Sequence, residues 1–170
     1  AAALATFGPM PLKVFLSSIS VGYENVNLFH QLRTAAFKDW LTKLPNRSEF
    51  INMLDDFGKN GKIASDAVVA LIDINHFADI NDGLGQDAGN NTLLAVAQRL
   101  EAHFDTDVQM GRIGSDVFGL IGSDAAVNPK AIREVFVSPF KAGELTLPLS
   151  ATYGLCRLSG TEQSGINILK

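Results

Sequence analysis

The sequence predicts a mixed α/β (α+β) fold: a βαββαβ core with a central, mostly antiparallel sheet flanked by helices, preceded by an N-terminal linker helix. Three observations carry this. Ala67 to Ile74 is a run of eight residues, apolar except for one carboxylate, the pattern of a central strand buried on both faces. Gly114-Ser115-Asp116 stands between two short β-prone runs, Val108 to Ile113 and Val117 to Ile121, and supplies hairpin chemistry. The stretches around them carry helical periodicity, which puts strand, helix, strand, strand, helix and strand in the order of a ferredoxin-like or palm-like core.

Each element follows in turn. Phe15, Ile19, Val26 and Phe29 recur at helical intervals, continuing through Leu32 and Ala36 toward Trp40, and such a stripe needs a partner. Pro45 breaks that pattern. Asn46 can cap a second helix with Glu49 three residues on, and Phe50, Ile51, Leu54 and Phe57 give it an apolar face. Gly58 to Lys62 reads as a loop. After the central strand comes a polar insertion from Asn75 to Gly89, then a helix from about Asn90 to Phe104 with Leu93, Leu94, Val96, Ala97 and Leu100 on its inner side. A further helix, about Pro129 to Phe136, precedes a last strand region from Leu145 to Leu158. These elements divide the chain into residues 1–36, a linker helix or the end of an upstream sensor domain, and a domain over residues 37–170.

Composition narrows the function classes. In 170 residues, hydrophobic types make up 46% and charged types 19%, the balance of a globular domain with a core. The formal net charge of -4 argues against bulk electrostatic binding to nucleic acid or anionic lipid. The single Cys156 cannot form an internal disulfide and reads as a small strand residue in a reducing compartment, which places the protein in the cytoplasm. Gly8, Pro9, Pro11 and Lys13 interrupt the apolar N-terminal stretch, so no membrane insertion of this segment is expected. A start at Ala1 and an abrupt stop at Lys170 suggest a piece of a longer polypeptide.

Two carboxylates stand in exposed but rigid places: Asp73 at the end of the central strand and Asp116 in the hairpin turn. A βαββαβ sheet lays those strands side by side, so the two can converge. Magnesium is commonly held by one or two carboxylates with substrate phosphates and waters, and this pair would suffice. Gly114 would let a phosphate approach the backbone without a Cβ in the way. The bland alternative is that both aspartates are solvated structural residues, as strand-end and turn aspartates commonly are.

Three stretches bear on the choice. Asp39-Trp40-Leu41-Thr42-Lys43-Leu44-Pro45-Asn46-Arg47 is similar to D-x-L-T-G-L-P-N-R, with Lys43 in place of glycine. Asp73-Ile74-Asn75-His76-Phe77, followed by Ile80-Asn81-Asp82, Gly85-Gln86-Asp87 and Gly89-Asn90, is similar to D-I-D-x-F-K-x-x-N-D-x-x-G-H-x-x-G-D. Arg112-Ile113-Gly114-Ser115-Asp116-Val117-Phe118 stands where R-x-G-G-D-E-F belongs. In order and spacing these resemble the GGDEF family, the diguanylate cyclase domains of bacterial cyclic di-GMP signalling, from about Ala36 to the C-terminus.

The resemblance implies a reaction in which two GTP-loaded domains face each other and each 3′-hydroxyl attacks the other nucleotide's α-phosphorus, a step needing alignment, metal ions and help in removing a proton. It assigns magnesium to Asp73, Asp116 and the backbone carbonyl of Ile74, and nucleotide contacts to Phe77, Asn81, Asn90, Gly114 and Ser115. It also identifies what differs. The signature glutamate is Val117, which can neither bind metal nor take a proton, so no catalytic residue is assigned there. Loss of a general base typically lowers the rate by about 10²–10⁴-fold. The carboxylate that would accept guanine's N1–H and exocyclic amine is Asn90, and about ten- to hundredfold weaker guanine binding follows from the lost charged hydrogen bond. Asn75 replaces the second aspartate, Ala78 a lysine and Gln86 a histidine. The R-x-x-D pair that grips cyclic di-GMP in product inhibition is replaced by Asp105 and Val108, and the family's final helix would lie beyond Lys170.

The expected function is therefore a degenerate GGDEF domain acting as a regulatory GTP- and magnesium-binding or dimerisation module, as a homodimer or beside a phosphodiesterase or sensor domain. A weakly active diguanylate cyclase and a scaffold that binds no nucleotide are the alternatives. His30, His76 and His103 lack metal-ligand spacing and read as surface or structural residues. Asp82, Asp87 and Asn90 can also be read as organising their loop and capping the next helix.

Overall fold

The computed structural model describes residues 9–59 and 67–158. They fall into two compact units, Ala1–Ala36 and Phe37–Lys170. The first is a helix, α1 (Pro9–Phe37), which begins six residues earlier than the apolar stripe alone suggests. Prolines 9 and 11 fit its first turn because the N–H groups they lack have no intrahelical acceptor there. Its stripe is exposed, with Phe15 at 61%, Ile19 at 53% and Val26 at 56% of full accessibility. Among the described residues no helix is long and apolar enough to cross a membrane.

The second unit contains α2 (Arg47–Lys59), β1 (Ala67–Ile74), α3 (Phe77–Leu84), α4 (Gln86–His103), β2 (Gln109–Arg112), β3 (Val117–Ser123), α5 (Pro129–Val135), β4 (Phe140–Ala142), β5 (Leu145–Leu147) and β6 (Ala151–Arg157). The main sheet has the order β2-β3-β1-β6 with every pair antiparallel. In terms of the four core strands this is second, third, first, fourth, the arrangement a βαββαβ chain adopts when each helical crossover skips one strand.

Alternation of side chains along β1 and β3 gives the sheet two dry faces. Val68, Ala70, Ile72, Ile74, Phe118 and Leu120 join Leu93, Val96 and Leu100 of α4 and Ile132 and Val135 of α5 in the larger core. Val69, Ile113 and Ile121 join Phe50 and Leu54 of α2 in the smaller one. Docking of α2 depends on the cross-strand pair Gly111 and Gly119. A methyl group on Gly119 would stand 2.5 Å from Phe50 Cζ, and one on Gly111 would stand 2.8 Å from the Pro45 carbonyl oxygen. The glycines leave a slot and the fully buried Phe50 ring fills it. Asn46 caps α2 as the sequence predicts, its Oδ1 accepting from Glu49 N–H at 3.1 Å.

Several boundaries differ from the sequence-based expectation. The polar insertion after β1 contains α3, and α4 starts at Gln86 rather than Asn90. Gly85 makes the joint at φ +88°, and Phe77 is the buried anchor of α3. The expected single strand region from Leu145 to Leu158 is two: Leu145–Leu147 pairs with β4 around Gly143 at φ +63°, and only β6 joins the main sheet. Arg99 ties this ribbon to α4 by donating to Val135, Ser138 and Pro139 carbonyls while lying 3.6 Å above the Phe140 ring centre. Gly58 and Lys59 close α2 instead of opening a loop, and the rest of that expected loop, Asn60 to Lys62, lies outside the described residues.

Lys43, which stands where the resemblance expects glycine, has φ +63°. Left-handed backbone is unfavourable for a residue with a Cβ by roughly 1–2 kcal/mol, partly offset in glycine by its greater unfolded-state freedom. Lys43→Gly should therefore raise stability by about 0.5–1 kcal/mol, seen as a higher urea midpoint with unchanged slope.

Candidate functional site

The ends of β1 and β3 bring the two candidate metal carboxylates together. Asp73 lies opposite Val117 in the register, and Ile74 N–H donates to the Asp116 carbonyl oxygen at 3.1 Å. The turn between β2 and β3 closes on Val117, whose carbonyl accepts from Ile113 N–H at 2.8 Å and Gly114 N–H at 3.2 Å. The turn is therefore fixed by backbone bonds, while Gly114 and Ser115 remain exposed.

The carboxylates have different settings. Asp73 is exposed and its side chain has no hydrogen bond among the described residues. Asp116 is half-buried, and its Oδ1 accepts from Ser115 Oγ at 2.6 Å, which orients it. No three His, Cys, Asp or Glu side chains gather as a cage among the described residues. Two oxygen donors with open sides fit magnesium, a cation that keeps several waters and shares its remaining positions with substrate phosphates.

Val117 lies on the same face as Asp73 and packs against the smaller core with Ile51, Met53 and Leu71. An acid at this register position would have its Cβ about 5 Å from that of Asp73. Asn75 cannot compensate for it. Its Nδ2 donates to Ser150 Oγ at 3.0 Å, and its Oδ1 accepts from Thr152 Oγ1 at 2.8 Å, so the amide ties the end of β1 to β6.

The nucleotide-contact candidates on α3 and α4 form a second group. Asn81 stands one turn into α3, and its amide lies directly on Gly89 of α4, where a methyl group would overlap Asn81 Oδ1 and stand 3.3 Å from Phe77 Cζ. A side chain at position 89 would displace the Asn81 amide from this place, and Asn90 follows Gly89. Both asparagines are half-buried, and neither side chain has a hydrogen bond among the described residues.

A contact between two of the matched stretches has no counterpart in the sequence reading. Arg112 Nη1 donates to both oxygens of Asp39 at 3.1 and 3.2 Å, while Nη2 donates to the Ser115 carbonyl oxygen. Thr42 adds its backbone N–H at 2.8 Å and its hydroxyl at 2.7 Å to Asp39 Oδ1. Burial of Asp39 acts to raise its pKa, but the Thr42 and Arg112 hydrogen bonds outweigh it and hold the carboxyl below its ordinary value. Arg112 thereby links the turn before α2 to the turn that carries Asp116. The only sequence signal was that both residues begin matched stretches.

The remaining positions are structural or solvent-facing. Val108 is buried in the larger core and cannot face a ligand, while Asp105 is exposed. His76 is an exposed residue 3.2 Å from Asp79, and His103 packs edge-on against Phe104. The side chain of His30 lies outside those described.

Comparison with known proteins places this arrangement. A family described as diguanylate cyclase, GGDEF domain, matches residues 36–169. The signaling protein YkoW of Bacillus subtilis is 30% identical over 148 residues, 82% of this chain and 18% of that protein. The diguanylate cyclase TpbB of Pseudomonas aeruginosa is 32% identical over 111 residues, 65% of this chain and 25% of that protein. The chain spans from 18% to 51% of the length of these and another curated relative. Among solved structures, the coiled coil and GGDEF domain of DgcB from Caulobacter crescentus, in complex with c-di-GMP, superposes with a TM-score of 0.74 at 22% identity, covering 93% of this chain and 88% of that one, which shows a shared fold.

Proposed function

We propose a regulatory role from one premise: this chain belongs to the GGDEF domain family. On this reading residues 37–170 bind a guanine nucleotide with magnesium without converting it to cyclic di-GMP, and residues 1–36 form a linker helix carrying a signal from a sensor domain. The domain acts in the cytoplasm, as a homodimer or against an adjacent phosphodiesterase or sensor domain.

The observation that carries the reading is Val117 opposite Asp73. Asp73, Asp116 and the Ile74 carbonyl would hold the ion, and Ser115 keeps the Asp116 carboxylate turned for it. Magnesium, when bound, neutralises phosphate charge and polarises the phosphoryl oxygens. Gly114 and Ser115 leave room for phosphates at the turn, and the half-buried Asn81 and Asn90 receive the base, with the buried Phe77 ring supporting α3 beneath them. Val117, at the register position opposite Asp73, cannot take the proton from an attacking hydroxyl.

Calorimetric titration with GTP and magnesium tests this. Saturable binding is expected in the native protein, with affinity at least tenfold weaker in Asp73→Ala and in Asp116→Ala, in line with loss of one partner of a charged site. Binding that is absent from the native protein contradicts it and favours a scaffold without nucleotide, and binding equal in all three contradicts the roles given to Asp73 and Asp116.

A further inference from the structure

The amides of Asn81 on α3 and Asn90 on α4 differ in kind from a carboxylate site. A carboxylate only accepts hydrogen bonds, whereas a primary amide presents one acceptor and one donor side by side and can be turned to exchange them. Asn81 is braced on Gly89, Asn90 is the next residue, and neither amide has a partner among the described residues.

Hydrogen-bond patterns on purine edges then decide what fits. Guanine offers two adjacent donors, N1–H and the exocyclic amine, and a carboxylate at position 90 would accept both. That same carboxylate would repel adenine, whose N1 is an acceptor, and a repulsive element of this kind supplies much of the discrimination between close ligands. An amide removes the repulsion. Its oxygen can accept from adenine's N6 amine while its nitrogen donates to N1 or N7, the two-point pairing asparagine makes with adenine. Turned over, it accepts from guanine N1–H and donates to O6. The carboxylate pattern rejects one purine, and the amide pattern has a two-point match for each.

We propose that the Asn81 and Asn90 amides make this a purine site with little preference between bases, one that takes adenosine triphosphate about as readily as guanosine triphosphate. The inference rests on the nucleotide-binding reading given above and names the ligand class of that same site.

The test is a pair of titrations, ATP and GTP each with magnesium, on the native protein and on Asn90→Asp. The substitution is nearly isosteric at a half-buried helical position, and any general effect of the added charge on the triphosphate applies to both nucleotides and cancels in the ratio of affinities. In the native protein the two dissociation constants should agree within about tenfold. In Asn90→Asp the ratio should move toward GTP by about ten- to hundredfold, the size of a regained charged hydrogen bond and a new repulsion. Native protein that binds GTP more than a hundredfold tighter than ATP, or a ratio that Asn90→Asp leaves unchanged, overturns the inference while leaving nucleotide binding intact. Native protein that binds neither nucleotide overturns both.

Discussion

Val117→Glu should increase the turnover of GTP to cyclic di-GMP by about 10²–10⁴-fold, the range general acid–base catalysis typically contributes. The geometry is favourable because Val117 is the register partner of Asp73 and shares its face of the sheet. A glutamate there extends past the edge of the smaller core toward the strand ends where Asp73 and Asp116 converge. Val117 is only half-buried, so the substitution removes little core packing. Val117→Gln is the control: it has the same length and hydrogen-bonding reach but cannot take a proton, and it should leave turnover at the native level. Product separation after incubation with GTP and magnesium reads both. Equal gains in the two variants would mean that shape, not proton transfer, limits the native protein.

Phe50→Ala should lower stability by about 3–5 kcal/mol, the usual effect of emptying a fully buried aromatic site. Its ring fills the slot above Gly111 and Gly119, neither of which has a side chain to collapse into the space. The hollow would lie beneath the two strands whose connecting turn carries Asp116, so loss of magnesium-dependent nucleotide binding should accompany the loss of stability. Urea denaturation measures the first effect and calorimetry the second. A cost under about 1 kcal/mol would show that α2 contributes little to holding this hairpin.

What the sequence made legible follows physical rules. β1 was readable because a strand buried on both faces has to be almost continuously apolar, and Ala67 to Ile74 satisfies that with Asp73 placed where the strand emerges. The β2–β3 turn was readable from Gly114-Ser115-Asp116, and the meeting of Asp73 with that turn followed from the order of elements. By contrast α3 is only eight residues long, with one buried side chain, Phe77, and its end depends on a positive φ at Gly85. Phe77, Ile80 and Leu84 do recur at helical intervals, but two turns set among Asn, Asp and Gly residues are too short a run to stand out from a loop. The β4–β5 ribbon was hidden for a similar reason, since its three-residue strands are shorter than any alternation can reveal.

In the candidate site, the signs that pointed to Asp73, Asp116, Asn81 and Asn90 were local motifs. The Asp39 and Arg112 pair was not legible in that way, because its partners are 73 residues apart and meet only after α2 has docked on the sheet. The role of Gly89 was likewise invisible. It is set by the space the Asn81 amide needs, a property of two helices packed together and not of either sequence segment.

The native protein and Val117→Glu, loaded side by side with GTP and magnesium and analysed for both bound nucleotide and product, test the central claim most directly. The account predicts that the native protein binds GTP and returns it unchanged while the variant forms cyclic di-GMP. Cyclic di-GMP formed by the native protein at the variant's rate would contradict it.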